Sequence, residues 1–166
     1  MSEKLYERMI RLIDYTDKMC NVCMSLGTDI HDEKLEYDSK MKYQSLISEY
    51  NNSIVETLCE LDVSKIFDEE IRNQVKYLMD DKFQEMFYTM SILKEIMNHI
   101  RFNKFGQNDS IEFIKRLYDI MVDIAEIAHS IKHSDYCYVE RGLLKKKDIY
   151  PELYVKKEKN NGPESK

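Results

Sequence analysis

Apolar side chains recur every three or four residues along most of this chain, and the residues that interrupt helices are nearly missing from it. Between Thr28 and Glu140 there is one glycine, Gly106, and the two prolines, Pro151 and Pro163, both come late. A three-to-four spacing sets successive apolar groups on one face of a 3.6-residue helix. The pattern therefore predicts long amphipathic helices.

The first helix is expected from Glu3 to Leu26, with Leu5, Met9, Leu12, Ile13, Met19, Cys23 and Leu26 on its apolar stripe. Gly27 then stands where a left-handed residue commonly ends a helix. A second helix, opened by Glu33 and Glu36, carries Tyr43, Leu46, Ile47, Tyr50, Ile54, Leu58 and Leu61 inward. Ser64 is the expected N-cap of a third helix over 65–104, with the acidic first turn Asp68, Glu69 and Glu70. Its stripe reads Ile71, Val75, Met79, Phe83, Met86, Met90, Leu93, Met97 and Ile100. At 1.5 Å per residue that helix is roughly 60 Å long, enough to kink at Asp80 and Asp81 or to project beyond its neighbours. Asp109 and Glu112 have the spacing of a capping box, and they open a fourth helix running to about Ser134.

The prediction is an all-α fold: a four-helix antiparallel bundle with one long, kinkable third helix and an irregular C-terminal tail. Residues 1–135 form the bundle domain, 136–158 a docking tail with apolar and basic segments, and 159–166 a disordered terminus. The length, 166 residues, suits a single domain with a sizeable core. Ten methionines suit a core that fills irregular gaps.

Charge narrows the partners. Residues 1–139 carry 17 basic and 26 acidic side chains, and residues 140–166 carry 8 and 5, so the body stands at −9 and the tail at +3. An acidic body repels a phosphate backbone, whose binding depends on lysine and arginine displacing counterions. Nucleic acid is disfavoured as a partner of the body. The polar start Met1, Ser2, Glu3 and Lys4 offers no signal region, and no run reaches bilayer-spanning length. A cytoplasmic protein with four reduced cysteines and no membrane association is expected.

Glu126, His129 and His133 form the sharpest chemical pattern, since Glu-x-x-His on a helix is half of a di-iron site and His-x-x-x-His can hold zinc. Helical phase opposes a buried site. With Glu126 at 0°, the core residues Leu117, Met121, Ile124 and Ala128 fall between about 160° and 220°, whereas His129 and His133 fall near 300° and 340°. The three point outward, where only a surface metal site is conceivable. Glu95 and His99 likewise oppose the stripe of their helix, and His31 falls in a loop. Cys20 and Cys23 lie inside the first helix, not at an N-terminus that would lower a thiol pKa. They read as small core residues, so no metal, cofactor or catalytic residue is assigned.

Arg72, Asn73, Gln74, Val75, Lys76 and Tyr77 resemble the motif of HEPN domains, small all-helical modules that include many ribonucleases. That motif pairs an arginine, often followed by asparagine, with a histidine a few residues on. Here Tyr77 stands in the histidine position. The resemblance implies a degenerate HEPN-like, toxin-related domain that lacks its acid–base group.

Apolar residues left without a neighbour supply the leading reading. Tyr88, Ile92 and Ile96 lie opposite the main stripe of the long helix. Ile149, Tyr150, Leu153 and Tyr154 give the basic tail more large apolar groups than a disordered tail carries. These seven are the candidate partner-binding residues of a non-enzymatic interaction module, an adaptor, inhibitor or regulatory subunit. Its partner is a protein or a second copy of the chain.

Overall fold

The computed structural model describes residues 3–101 and 107–149, with the side chains of 96–101, 107–109, 146 and 149 outside that description. Every regular element among the described residues is helical: α1 (Leu5–His31), α2 (Tyr37–Cys59), α3 (Glu69–Tyr77), a π-helical turn (Leu78–Lys82), α4 (Phe83–Arg101), α5 (Gln107–Lys132), α6 (Asp135–Glu140) and α7 (Lys146–Ile149). None of these helices is long and apolar enough to cross a membrane.

Gly27 does not end α1, contrary to the sequence expectation. The helix continues through it to His31, because the next turn buries Ile30. Burying an isoleucine is worth about 1.5–3 kcal/mol, more than the ~1 kcal/mol that glycine costs in a helix. Chain reversal falls instead on Glu33, whose φ is +56°. Consequently α2 opens at Tyr37 rather than at Glu33. Tyr43 Oη donates to Asp29 Oδ2 at 2.5 Å, tying the first turns of α2 to the last turns of α1. At the other end Arg8 Nη1 donates to the Glu60 carbonyl at 2.6 Å, and Arg11 pairs with both Glu3 and Glu60.

The third helix also starts later than its sequence suggests. Asp68 is the cap, accepting from Ile71 N at 3.0 Å. Ser64 belongs to a loop turn in which its N and Oγ each donate to the Asp62 carboxylate at 2.9 Å. Near Asp80 and Asp81, where a kink was conceivable, the chain forms the π-turn. A π-turn holds i→i+5 hydrogen bonds and takes more residues per turn than the α-helix on either side. A phase counted at 3.6 residues runs out of step there. Leu78 and Lys82 are buried, while Met79 and Phe83, assigned inward, are half-buried.

The long helical segments pack in a ring. α1 lies chiefly on α5 and on its other flank against α2, while α4 packs on both α5 and α2. Their inner faces form one continuous core that includes Met9, Leu12, Met19, Leu26, Ile54, Leu58, Met86, Leu117, Met121 and Ile124. α5 opens at Gln107, two residues before the expected Asp109, and closes at Lys132.

Residues 135–140, read as the bundle's last residue and an irregular tail, form α6. Ser134 caps it by accepting from Cys137 N at 3.3 Å, and Tyr136 and Cys137 are buried in the same core. The Tyr136 ring lies 5.0 Å from that of Phe67, in the α2–α3 connection. Ile149 closes α7. Tyr150, Leu153 and Tyr154 lie outside the described residues, as does the predicted disordered terminus.

Candidate functional site

The far face of α4 carries the most exposed aromatic pair among the described residues. Phe87 is 65 % and Tyr88 64 % exposed. They follow Met86, which is fully buried, so three successive residues sweep from core to surface through about 100° each. The Phe87 ring stacks on Phe83 one turn earlier, with centroids 6.5 Å apart. Ser91 Oγ donates to the Phe87 carbonyl at 3.1 Å.

Between this face and α2 lies a groove of about 450 Å³. Its α2 wall is uncharged and polar, built from Gln44, Ser48, Asn51 and Asn52; its α4 wall presents Phe87, Ser91 and Lys94, with Ile47, Met90 and Leu93 as the floor. Ile47 and Leu93 are buried, which makes the floor part of the core. The Asn51 side-chain oxygen is shielded from solvent and has no hydrogen-bond partner among the described residues. A buried acceptor left unpaired costs about 1–3 kcal/mol.

Of the seven residues singled out in the sequence, Tyr88 lies exposed on this face and Ile92 is half-buried on the same helix. The side chains of Ile96 and Ile149 are outside the described set, as are Tyr150, Leu153 and Tyr154 entirely. Sequence reading missed Phe87. It sits one residue past a core methionine, where helical phase gives only a boundary position. The doublet Phe87 and Tyr88 is the signal that could have found it, since two adjacent aromatics on a helix cannot both face one core.

The remaining motifs resolve into surface and core. Glu126, His129 and His133 are all exposed, and the two imidazoles stack with centroids 6.2 Å apart. No group of three metal-ligating side chains is assembled among the described residues. Cys23 is buried and Cys20 half-buried. Burial pushes the Cys23 thiol up to about 12, and burial with the nearby Asp17 raises Cys20. That is the reverse of the lowered pKa a nucleophilic thiol needs. Arg72 Nη1 donates to the Ile66 carbonyl at 3.0 Å, so its guanidinium holds the α2–α3 connection.

The π-turn holds the most deeply buried charged group among the described residues. Lys82 is 4 % exposed, and its Nζ donates to Glu85 Oε2 and to Asp123 Oδ2, each at 3.1 Å. It also stands 5.2 Å over the Tyr77 ring. Desolvation pulls its pKa down, but the bonds to Glu85 and Asp123 outweigh that and hold the amine above its ordinary value. A lysine nucleophile must lose its proton near neutral pH. Lys82 keeps its proton and acts as a fixed cation between the π-turn and α5.

Comparisons of the chain with known protein families, with curated proteins and with solved structures find no match.

Proposed function

We propose that this protein is a non-enzymatic interaction module, an adaptor, inhibitor or regulatory subunit. Its working surface is the α2/α4 groove together with Phe87 and Tyr88, set on a scaffold of four long helices read as an antiparallel bundle. The observation that carries this reading is the exposure of two adjacent aromatics, the first of which, Phe87, lines a groove against α2. Apolar side chains scattered singly on a surface need no explanation. Aromatics at a groove edge supply the rigid anchors on which protein interfaces concentrate their energy.

The chemistry of the groove describes the partner. An uncharged amide and hydroxyl wall opposite an aromatic edge suits a protein segment that presents an apolar side chain and uncharged polar groups. Lys94, at one rim, favours a carboxylate there.

Site-specific photo-cross-linking in the cell of origin tests the reading. Benzoylphenylalanine placed at Phe87 or Tyr88 is expected to yield one discrete protein adduct, identified by mass spectrometry, and a probe at Tyr37 on the start of α2 is expected not to. Phe87→Asp should abolish the adduct formed from Tyr88. Absence of any adduct at both positions, or the same adducts from the Tyr37 probe, overturns it.

A further inference from the structure

The α1/α5 side of the ring, across the molecule from the α2/α4 groove, carries a second opening. One end, of about 480 Å³, is lined by early α1 and late α5, including Ile10, Asp14, Asp17 and Glu126. The other end, of about 500 Å³, is lined by late α1 and early α5, including Met24, Gly27 and Lys115. Tyr118 lines both, so the two meet as one trough. Ile10 is 39 % and Met24 59 % exposed, and Ile13, Tyr118 and Val122 are half-buried between them.

Charge changes sign along this trough. Among the described residues, the first end is lined by three carboxylates, Asp14, Asp17 and Glu126, with no lysine or arginine, and the second by Lys115 with no carboxylate. Asp14 is held by Lys18 at 3.0 Å. Asp17, Glu126 and Lys115 are exposed and form no ion pair among the described residues. A matching occupant must set a cation against Asp17 and Glu126 and a carboxylate against Lys115. The same face turned end for end has that order.

A contact within the chain fixes the register of such a match. Gly27 lies level with Ile114, since a Cβ on it would meet Ile114 Cγ2 at 3.9 Å. The two helices run in opposite directions with one rise, about 1.5 Å per residue, so Cys20 and Asn21 of α1 lie level with Ile120 and Met121 of α5. Lys115 and Glu126 stand about 8 Å to either side of that level. A two-fold axis that crosses the trough there, in the plane of the face, brings Lys115 onto Glu126 of the partner subunit, and symmetry forms the pair twice. It also sets Tyr118 beside Val122 of the partner subunit. An axis along the trough would instead oppose carboxylate to carboxylate, which like-charge repulsion disfavours.

The size of the face is adequate. From Ile10 to His31 it is about 32 Å long, and two helix diameters make it roughly 20 Å wide. That is on the order of 600 Å² in projection, and side-chain relief raises the accessible area toward the ~800 Å² per subunit of a stable interface.

We propose that two copies of this chain associate through the α1/α5 face, end for end about that axis. Burial of Ile10, Ile13, Met24, Tyr118 and Val122 supplies the affinity. The exposed ion pairs add little to it and instead set the direction in which the copies meet. The α2/α4 groove of each copy stays open, so the association is independent of any partner bound there.

Sedimentation velocity on the full-length chain tests this. The parent should pass from monomer to dimer between roughly 1 and 500 μM. K115E and E126K should each weaken the dimer roughly ten-fold, because symmetry counts each reversal twice. The two variants mixed in equal amounts should form a heterodimer of parental affinity, since opposite charges then meet at both contacts. M24D, which alters an exposed residue, should leave only monomer, with circular dichroism and an unchanged melting temperature showing that the fold is intact. A parent that stays monomeric over that range overturns the proposal and leaves the trough to another occupant. A dimer unmoved by M24D, or one weakened by both charge reversals without recovery in their mixture, overturns it as well.

Discussion

A Cβ added to Gly27 meets Ile114 Cγ2 at 3.9 Å, an ordinary van der Waals distance, where the C-terminal part of α1 lies beside the N-terminal part of α5. Gly27 is helical, and nothing nearer opposes a methyl group. Gly27→Ala is therefore expected to stabilise the protein by about 0.5–1 kcal/mol through reduced backbone freedom of the unfolded chain. Urea unfolding checks this. A loss of stability would mean that α1 and α5 approach more closely at this point than the structure shows.

Lys82 invites a paired comparison. Its amine is buried while Glu85 and Asp123 keep 49 % and 54 % of their side-chain surface exposed, so removing the cation leaves no carboxylate stranded in the interior. Lys82→Ala should cost about 2–4 kcal/mol by emptying the space its stem fills. Lys82→Met, which refills that space, should stay within about 1 kcal/mol of the parent. Equal losses in the two variants would show that the charge, and not the stem, holds the π-turn.

Stability should fall at alkaline pH, starting from the thiols. Burial raises Cys23 to about 12 and Cys137 to about 11 from an ordinary 9.0. The folded state keeps these protons where the unfolded state releases them. Their contribution is complete below pH 9.0 and is lost as pH rises toward the folded values. The slope approaches about 1.4 kcal/mol per pH unit for each thiol. Denaturation midpoints measured between about pH 8 and 10 should decline, and the decline should be shallower in a C23A/C137A protein. A flat profile in the parent would contradict the burial of both thiols.

The short helix α6 should be integral to stability. Tyr136 is buried against Phe67, and Tyr136→Ala should cost about 3 kcal/mol or more, the range for a large aromatic removed from a core. Calorimetry or urea unfolding measures it. A change below about 0.5 kcal/mol would place α6 at the surface.

Phe87 and Tyr88 should behave in the opposite way. The double variant F87S/Y88S is expected to unfold within about 0.5 kcal/mol of the parent, as exposed substitutions do. A large loss would mean that the pair belongs to the fold and would remove it as a free binding surface.

The local period of the sequence determined which residues share a helical face, because 3.6 residues per turn is a property of the backbone alone. That was enough to point Glu126, His129 and His133 outward, to bury Cys23 and to set Tyr88 on the surface. It failed where a local preference met a larger tertiary term. Gly27 signals a helix end, but burial of Ile30 carries α1 onward; Ser64 is a good cap, but Asp68 sits where the helix begins. Lys82 illustrates the limit best. No pattern near residue 82 predicts a buried lysine, since its burial depends on a π-turn that shifts the phase and on Asp123, distant in sequence but 3.1 Å away in space. The groove between α2 and α4 is of the same kind: its two walls lie on helices far apart in sequence, and only their packing puts Asn51 and Phe87 on one opening. Faces are set by neighbours along the chain, and sites by neighbours across it.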